Sequence, residues 1–295
     1  MPDQVSTPIS TALGHASARK RPGILHFFWK HQLATLGVIV LALLGFAAIF
    51  APLVTPYNPD AISLEILAPP SPAHILGTDD IGRDMLARLV YAARISLTVG
   101  LVSSILTVVL GVLIGSVAGF FGGRVDTLLS SFINIMLSIP MFPLALVLGS
   151  FLETNLTFIV LIIGLLSWMG VARIIRAECL SLKEREFCQA AWAMGVPTFR
   201  IIARHILPNT LGPIIVAATL QVASGILLES ALSYLGYGIQ PPTPSWGNML
   251  QNAQRYMRMA PEVAIYPGAL ISLTVIAINF VGDGLRDALD PRMRI

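Results

Sequence analysis

An all-α integral membrane protein with six transmembrane helices is the fold class that three features of the 295-residue sequence predict. Charged residues make up 12% of the chain, against roughly 25% in soluble domains. Apolar residues make up 55%, and the mean hydropathy is +0.76. Six of the runs that contain no Asp, Glu, Lys or Arg read as spans: 31–59, 95–123, 127–152, 154–172, 205–228 and 263–282. A helix needs about 20 residues to cross a hydrocarbon core of about 30 Å. A chain of this size cannot hide so much apolar surface in its own core, so lipid is the solvent for much of it. These features exclude disorder over most of the chain and a disulfide-stapled secreted domain. Cys179 and Cys188 fit no metal spacing and read as free thiols. The net charge of +3 comes without a basic stripe interleaved with aromatics, which argues against nucleic acid as a partner.

Taken in order, residues 1–30 read as a cytoplasmic tail and 31–53 as the first span. The apolar stretch from Leu33 to Leu53 is longer than the 7–15 residues of a signal-peptide core, so it is expected to stay as an anchor. Residues 54–94 form an extracytoplasmic loop. Pro56, Pro59, Pro69, Pro70 and Pro72 exclude regular helix or central strand there. His74, Asp79, Asp80 and Asp84 in the same loop match neither a calcium loop nor a zinc pattern. The preferred reading is a turn whose aspartates bond backbone amides and cap the next helix. Residues 95–285 hold the five remaining spans, with a cytoplasmic loop at about 177–209 and an outer loop at about 236–262. In the outer loop, Ser245-Trp246-Gly247 leads into a short amphipathic helix, with Trp246 expected at the membrane interface. Residues 286–295 form a second cytoplasmic tail. With both termini inside, fourteen Lys and Arg fall on the cytoplasmic side and five outside, which agrees with the positive-inside rule.

The cytoplasmic loop reads as two short helices. Phe187, Ala190, Ala191 and Met194 share one helical face. Gly195 ends that helix in the left-handed conformation, and Pro197 opens the next. Phe199, Ile202 and Ile206 line one face of the second helix, with Arg200 and Arg204 on another. Such a pair is either a docking surface or an interfacial helix on lipid headgroups. Within the spans, Glu229 is either a pathway group or a packing residue, and it lies near the outer end of its helix. Asn134 and Asn279 read as hydrogen-bond partners between helices, with a pathway role as the alternative.

Catalytic signatures are missing. None of the three lysines (Lys20, Lys30 and Lys183) follows a glycine, so there is no P-loop. There is no H-E-x-x-H pair and no G-x-S-x-G elbow. A conduit is the better reading than a membrane enzyme. A stand-alone secondary transporter or channel would show more ionisable groups at mid-membrane or an inverted repeat.

Four separated motifs resemble those of one family. Gln189-Ala190-Ala191, three residues, Gly195, nine residues, then His205-Ile206-Leu207-Pro208 is similar to the cytoplasmic signature of permease subunits of bacterial ABC importers. Gln189 stands where the pattern has Glu, which removes an ion pair from that position, and Glu186 lies one turn earlier on the same helix. His74 to Asp84 resembles the signature of dipeptide and oligopeptide permease C subunits. Tyr234-Leu235-Gly236 with Gln240 to Gly247 resembles that family's last outer loop, and Gly282 to Arg292 its C-terminus. The resemblance implies a type I ABC importer permease fold. It also implies a homologous second permease, two cytoplasmic ATPases that carry ATP and Mg, and an extracytoplasmic binding protein. No cofactor is expected on this chain. The stretch 189–208 would form coupling helices, with Glu186, Gln189, Ala190, Ala191, Gly195, His205, Leu207 and Pro208 as ATPase-coupling residues. Relatives of this kind carry dipeptides, oligopeptides, nickel complexes or glutathione.

Overall fold

The computed structural model describes residues 31–151 and 155–289. The tail expected at 1–30 and the last part of the C-terminal tail, 290–295, lie outside the described residues. The described residues are helical, in the order α1 (Gln32–Ile49), α2 (Ala51–Val54), α3 (Met85–Phe121), α4 (Gly123–Ser138), α5 (Met141–Phe151) and α6 (Leu156–Lys183). Then follow α7 (Glu186–Ala193), α8 (Thr198–Ile201), a π turn (Ile202–Ile206), a 3₁₀ turn (Leu207–Thr210), α9 (Leu211–Tyr234), α10 (Trp246–Ala253) and α11 (Glu262–Leu289). Five stretches are long and apolar enough to cross a membrane, and six if α4 and α5 count as one broken span.

Several boundaries differ from the charge-free runs: α6 continues past residue 172 to Lys183, into the stretch expected as cytoplasmic loop, and α11 past 282 to Leu289. The loop expected to reach residue 94 gives way to helix at Met85, because Asp84 caps α3 by accepting the Ala87 N–H at 2.7 Å. Arg88 and Arg94 therefore lie within α3. The guanidinium of Arg94 meets the last carbonyls of α1 at Ala48 and Ile49, where a cation offsets the helix dipole. The run 127–152 is two helices bent by 78°. Pro140 pushes Ile139 into extended backbone (φ −84°, ψ 124°), which stops α4. The run 205–228 is the middle of a longer path from Thr198 to Tyr234. Its π and 3₁₀ turns lie around Pro208, which has no N–H to give the helical ladder.

The loop before α3 folds on its own polar side chains, as the capping reading expects. Asp79 Oδ1 accepts the Ile81 and Arg83 N–H groups at 3.1 and 2.9 Å, and Oδ2 pairs with Arg83 Nε at 2.7 Å. His74 Nδ1 sits 2.8 Å from Asp84 Oδ2. No metal-holding group of His, Cys, Asp and Glu occurs among the described residues. In this loop burial, chiefly, pushes the Asp80 carboxyl above its ordinary value, and neighbouring Asp79 adds to that.

The bundle is held by close helix approach. The largest contact joins α3 and α6. Gly111, Gly115 and Gly119 form a stripe on α3, and a Cβ on Gly115 would stand 2.5 Å from the Ala172 carbonyl oxygen. Small residues at four-residue spacing let two backbones meet where lipid offers no hydrophobic drive for association. Helix α9 packs between α3 and α11, and α1 packs along α11. Leu36, Leu43 and Phe46 of α1 remain exposed, an apolar face fit for lipid or a partner helix.

Candidate functional site

The loop that joins α6 to α9 closes one end of the bundle. Helix α7 ends in a Schellman turn: the Gly195 N–H donates to Trp192 O at 2.9 Å and the Val196 N–H to Ala191 O at 3.1 Å. Gly195 has φ +75°, the left-handed geometry expected of it. Pro197 caps α8 rather than sitting in its first turn, and its carbonyl accepts the Arg200 and Ile201 N–H groups.

The face expected to hold an apolar stripe for docking or for lipid headgroups is largely open. Of Phe187, Ala190, Ala191 and Met194, only Ala191 is buried; Phe187 and Met194 are exposed. Cys188 and Ala191 face inward instead and pack with Ile201 and Ile206 against Val171, Ile175 and Cys179 of α6. Small side chains let the short helix lie close to α6. Of Phe199, Ile202 and Ile206, expected on one face, Phe199 is 81% exposed while Ile206 is buried. Burial pushes the Cys188 thiol above its ordinary value, so it stays protonated.

The outward side therefore carries Phe187, Trp192, Met194 and Phe199 as an apolar surface on a loop of polar backbone. Glu186, Gln189 and Ala190 are exposed beside it. The Gln189 amide donates to Glu184 O at 3.4 Å. His205 lies 6.4 Å from the Phe187 ring and so ties the second helix to the first. Leu207 is half-buried and Pro208 exposed. A cavity of about 740 Å³ opens next to these groups, lined by Phe120 and Phe121 of α3, Lys183, Glu184, Gln189 and Trp192 among others. Periodicity alone did not single out Trp192, which is 71% exposed.

A polar clamp lies beside this end; the sequence reading named Asn134 as a hydrogen-bond partner between helices but missed Asp126, Ser130, Arg173 and Arg176. Arg176 of α6 grips Asp126 of α4 through two bonds, of 2.5 and 2.7 Å, and Ser130 donates to the same carboxylate at 3.1 Å. Arg173 donates to Asn134 Oδ1 at 2.7 Å. The spacing of Asp126, Ser130 and Asn134 by four residues is the signal that could have found it. Asn279 is half-buried on α11 and makes no side-chain hydrogen bond among the described residues.

Glu229 is at the opposite end and fully buried on α9. Ser233 donates to its Oε1 at 2.7 Å; Ser96 and Ser230 donate to Oε2 at 3.1 and 3.5 Å. Trp246 does not sit at an interface as expected. It is 0% exposed, and its indole N–H donates to Leu89 O at 3.1 Å. Its ring joins the buried cluster that holds Met85, Leu89, Ala92 and Ala93 of α3.

Comparisons with known proteins agree with this architecture. The family described as binding-protein-dependent transport system inner membrane component matches residues 111–295, and the N-terminal TM domain of oligopeptide transport permease C matches residues 24–70. The dipeptide transport system permease protein DppC of Alkalihalophilus pseudofirmus is 41% identical over 90% of this chain and 88% of its own. The oligopeptide transport system permease protein OppC of Haemophilus influenzae is 39% identical, over 90% of this chain and 87% of its own. The di/tripeptide transport system permease protein DppC of Pseudomonas aeruginosa is 40% identical, over 92% and 94%. Among solved structures, a chain of the inward-facing MetNI methionine ABC transporter superposes with a TM-score of 0.57 at 20% identity, over 70% of this chain and 98% of that one. That likeness shows the type I ABC importer permease fold. With a family match over residues 111–295 and relatives near 40% identity along most of its length, the chain belongs to the binding-protein-dependent transport system inner membrane components, as a multi-pass permease of that family.

Proposed function

We propose that this chain is the C-type permease subunit of an ATP-driven peptide importer and forms half of its translocation pathway. The observation that carries this reading is the loop between α6 and α9. It presents Trp192, Met194 and Phe199 outward on a framework packed against α6, which suits a handle that another protein grips. Peptide cargo rests on the relatives, three of which are named for dipeptide, oligopeptide or di/tripeptide transport.

In this reading both termini are cytoplasmic, as the loop charges favour. Two ATPases bind Mg-ATP and hold the coupling residues Glu186, Gln189, Ala190, Ala191, Gly195, His205, Leu207 and Pro208. A homologous permease completes the pathway, and an extracytoplasmic binding protein delivers cargo. This chain needs no cofactor. Closure of the ATPases moves the handle, and the spans change between outward- and inward-facing states; the coupling requires nucleotide to bind those two states differently. The stand-alone transporter or channel is set aside by family membership.

The test is purification of the chain from its native membrane in mild detergent, with identification of co-purifying proteins and an ATPase assay. Recovery of P-loop ATPases and a second permease, with ATP hydrolysis stimulated by a peptide-loaded binding protein, is expected. A stable chain that comes out alone without ATPase activity overturns the reading.

A further inference from the structure

The carboxylate of Glu229 lies at the end of the bundle away from the coupling loop, and its surroundings point to a mechanical task. Two of the serines that donate to it also accept from the outer loop. Ser96 accepts the Trp246 N–H at 3.3 Å, and Ser233 accepts the Ile239 N–H at 3.0 Å. Each hydroxyl thus passes a backbone donor of the loop on to one carboxylate oxygen. Glu229 is the common terminus of both relays.

Close backbone contact supports the same joint. A Cβ on Gly247 would stand 2.7 Å from Ser230 Cα, and one on Gly238 would stand 2.5 Å from Ser233 Cα. The loop main chain therefore lies directly on the two serines. Asn248 braces the loop internally through bonds of 3.1 and 2.8 Å to Ile239 O and Thr243 O. On its other side the loop touches α5, where a Cβ on Gly149 would stand 3.0 Å from Tyr237 O.

We propose that Glu229 is a positioning residue: it is the shared acceptor that fastens the outer loop 236–253 to α3 and α9, so that the loop moves with those helices when the permease switches. The proposal rests on the importer reading above. A carboxylate suits the task because it only accepts. An amide at the same place would donate to one serine, reverse that bond and leave the hydroxyl proton without its acceptor, which weakens one relay. Glu229 acts here through the loop and not through contact with cargo.

The experiment uses the complete complex in liposomes with its binding protein and a loaded peptide. Three variants, Glu229→Gln, Glu229→Ala and Ser96→Ala, are each made alone and together with Ile239→Cys. Ile239 is 4% exposed, so the cysteine reports release of the loop to an impermeant maleimide. In Glu229→Ala the ratio of stimulated to basal ATPase is expected to fall by about tenfold, with Ile239→Cys becoming labelled. Glu229→Gln and Ser96→Ala, which each weaken or remove one relay, are expected to fall between that and wild type. If Glu229→Ala does not assemble, these two carry the test. An unchanged ratio with Ile239→Cys unlabelled in both overturns the proposal. So does a raised KM for peptide with the loop still closed, which would place the carboxylate on the pathway. If the wild-type complex shows no stimulation at all, the importer reading is what fails.

Discussion

Two residues illustrate how much a single position decides. Gly195 has φ +75° with no atom within 4 Å of where a Cβ would stand. Substitution there is limited by backbone conformation, worth about 1 kcal/mol, and not by a clash. Asn tolerates the left-handed region and matches Asp in shape. Gly195→Asn is therefore expected to keep most peptide uptake, while Gly195→Asp inserts normally but loses most of it. Equal uptake by the two variants would show that charge on the handle does not matter. At the opposite end, Asp79 serves two guanidinium groups: Arg83 at 2.7 Å and the buried Arg88 at 3.3 Å. Asp79→Asn leaves both cations without their shared carboxylate, at about 3–5 kcal/mol for a broken buried pair. Arg88→Met leaves Asp79 paired with Arg83 and is expected to cost less. Thermal unfolding of the two variants in detergent checks the order, and a lower midpoint for Arg88→Met would refute it.

Helices here are held by shape more than by hydrophobicity. On α3, the stripe of Gly111, Gly115 and Gly119 brings α6 within backbone contact. Gly115→Ala puts a methyl 2.5 Å from a main-chain oxygen that cannot turn aside. It is expected to destabilise by about 1–3 kcal/mol, the range for overpacking. Gly45→Ala on α1, where nothing lies within 4 Å, is the matched control and is expected to be neutral. Midpoints of unfolding for the pair check this, and equal midpoints would mean that α3 and α6 can separate at little cost. The Arg176–Asp126 clamp acts on another face of α6, tying α4 to it beside the coupling loop. It is partly exposed, so its worth lies in holding geometry more than in stability.

Across the whole molecule the two ends differ in kind. One end carries the 55–84 loop, the outer loop and α10, knitted by buried polar groups around Asp79 and Glu229. The other carries the handle, whose packed side is apolar and whose open side is aromatic. Leu64 is 100% exposed at the first end and Met194 is 75% exposed at the second. With the native Cys179 and Cys188 buried, an impermeant thiol reagent is expected to label Leu64→Cys in intact spheroplasts. Met194→Cys should be labelled only in inverted vesicles, prepared from cells that lack the ATPase subunits so that the handle is uncovered. The reverse pattern would overturn the proposed orientation of the chain.

The sequence by itself determined the features that depend on local chemistry. Apolar runs located the spans, Asp84 announced a helix start, and Gly195 a left-handed stop. Spacing alone also carried the resemblance of 189–208 to a coupling loop. The tertiary structure decided which faces are packed. In water an apolar stripe marks the buried side of a helix. In a bilayer, lipid accepts apolar residues as readily as a protein core does, so the stripe loses that meaning. In the coupling loop the packed side is likewise set by the fold: Cys188 and Ala191 face α6, while Phe187 and Met194 do not. Trp246, a residue typical of interfaces, is instead buried in a cluster with Met85 and Leu89 of α3, a contact no local signal records. The partners of Glu229 likewise come from residues as far apart as Ser96 and Ser233, and only the folded chain brings them to one carboxylate.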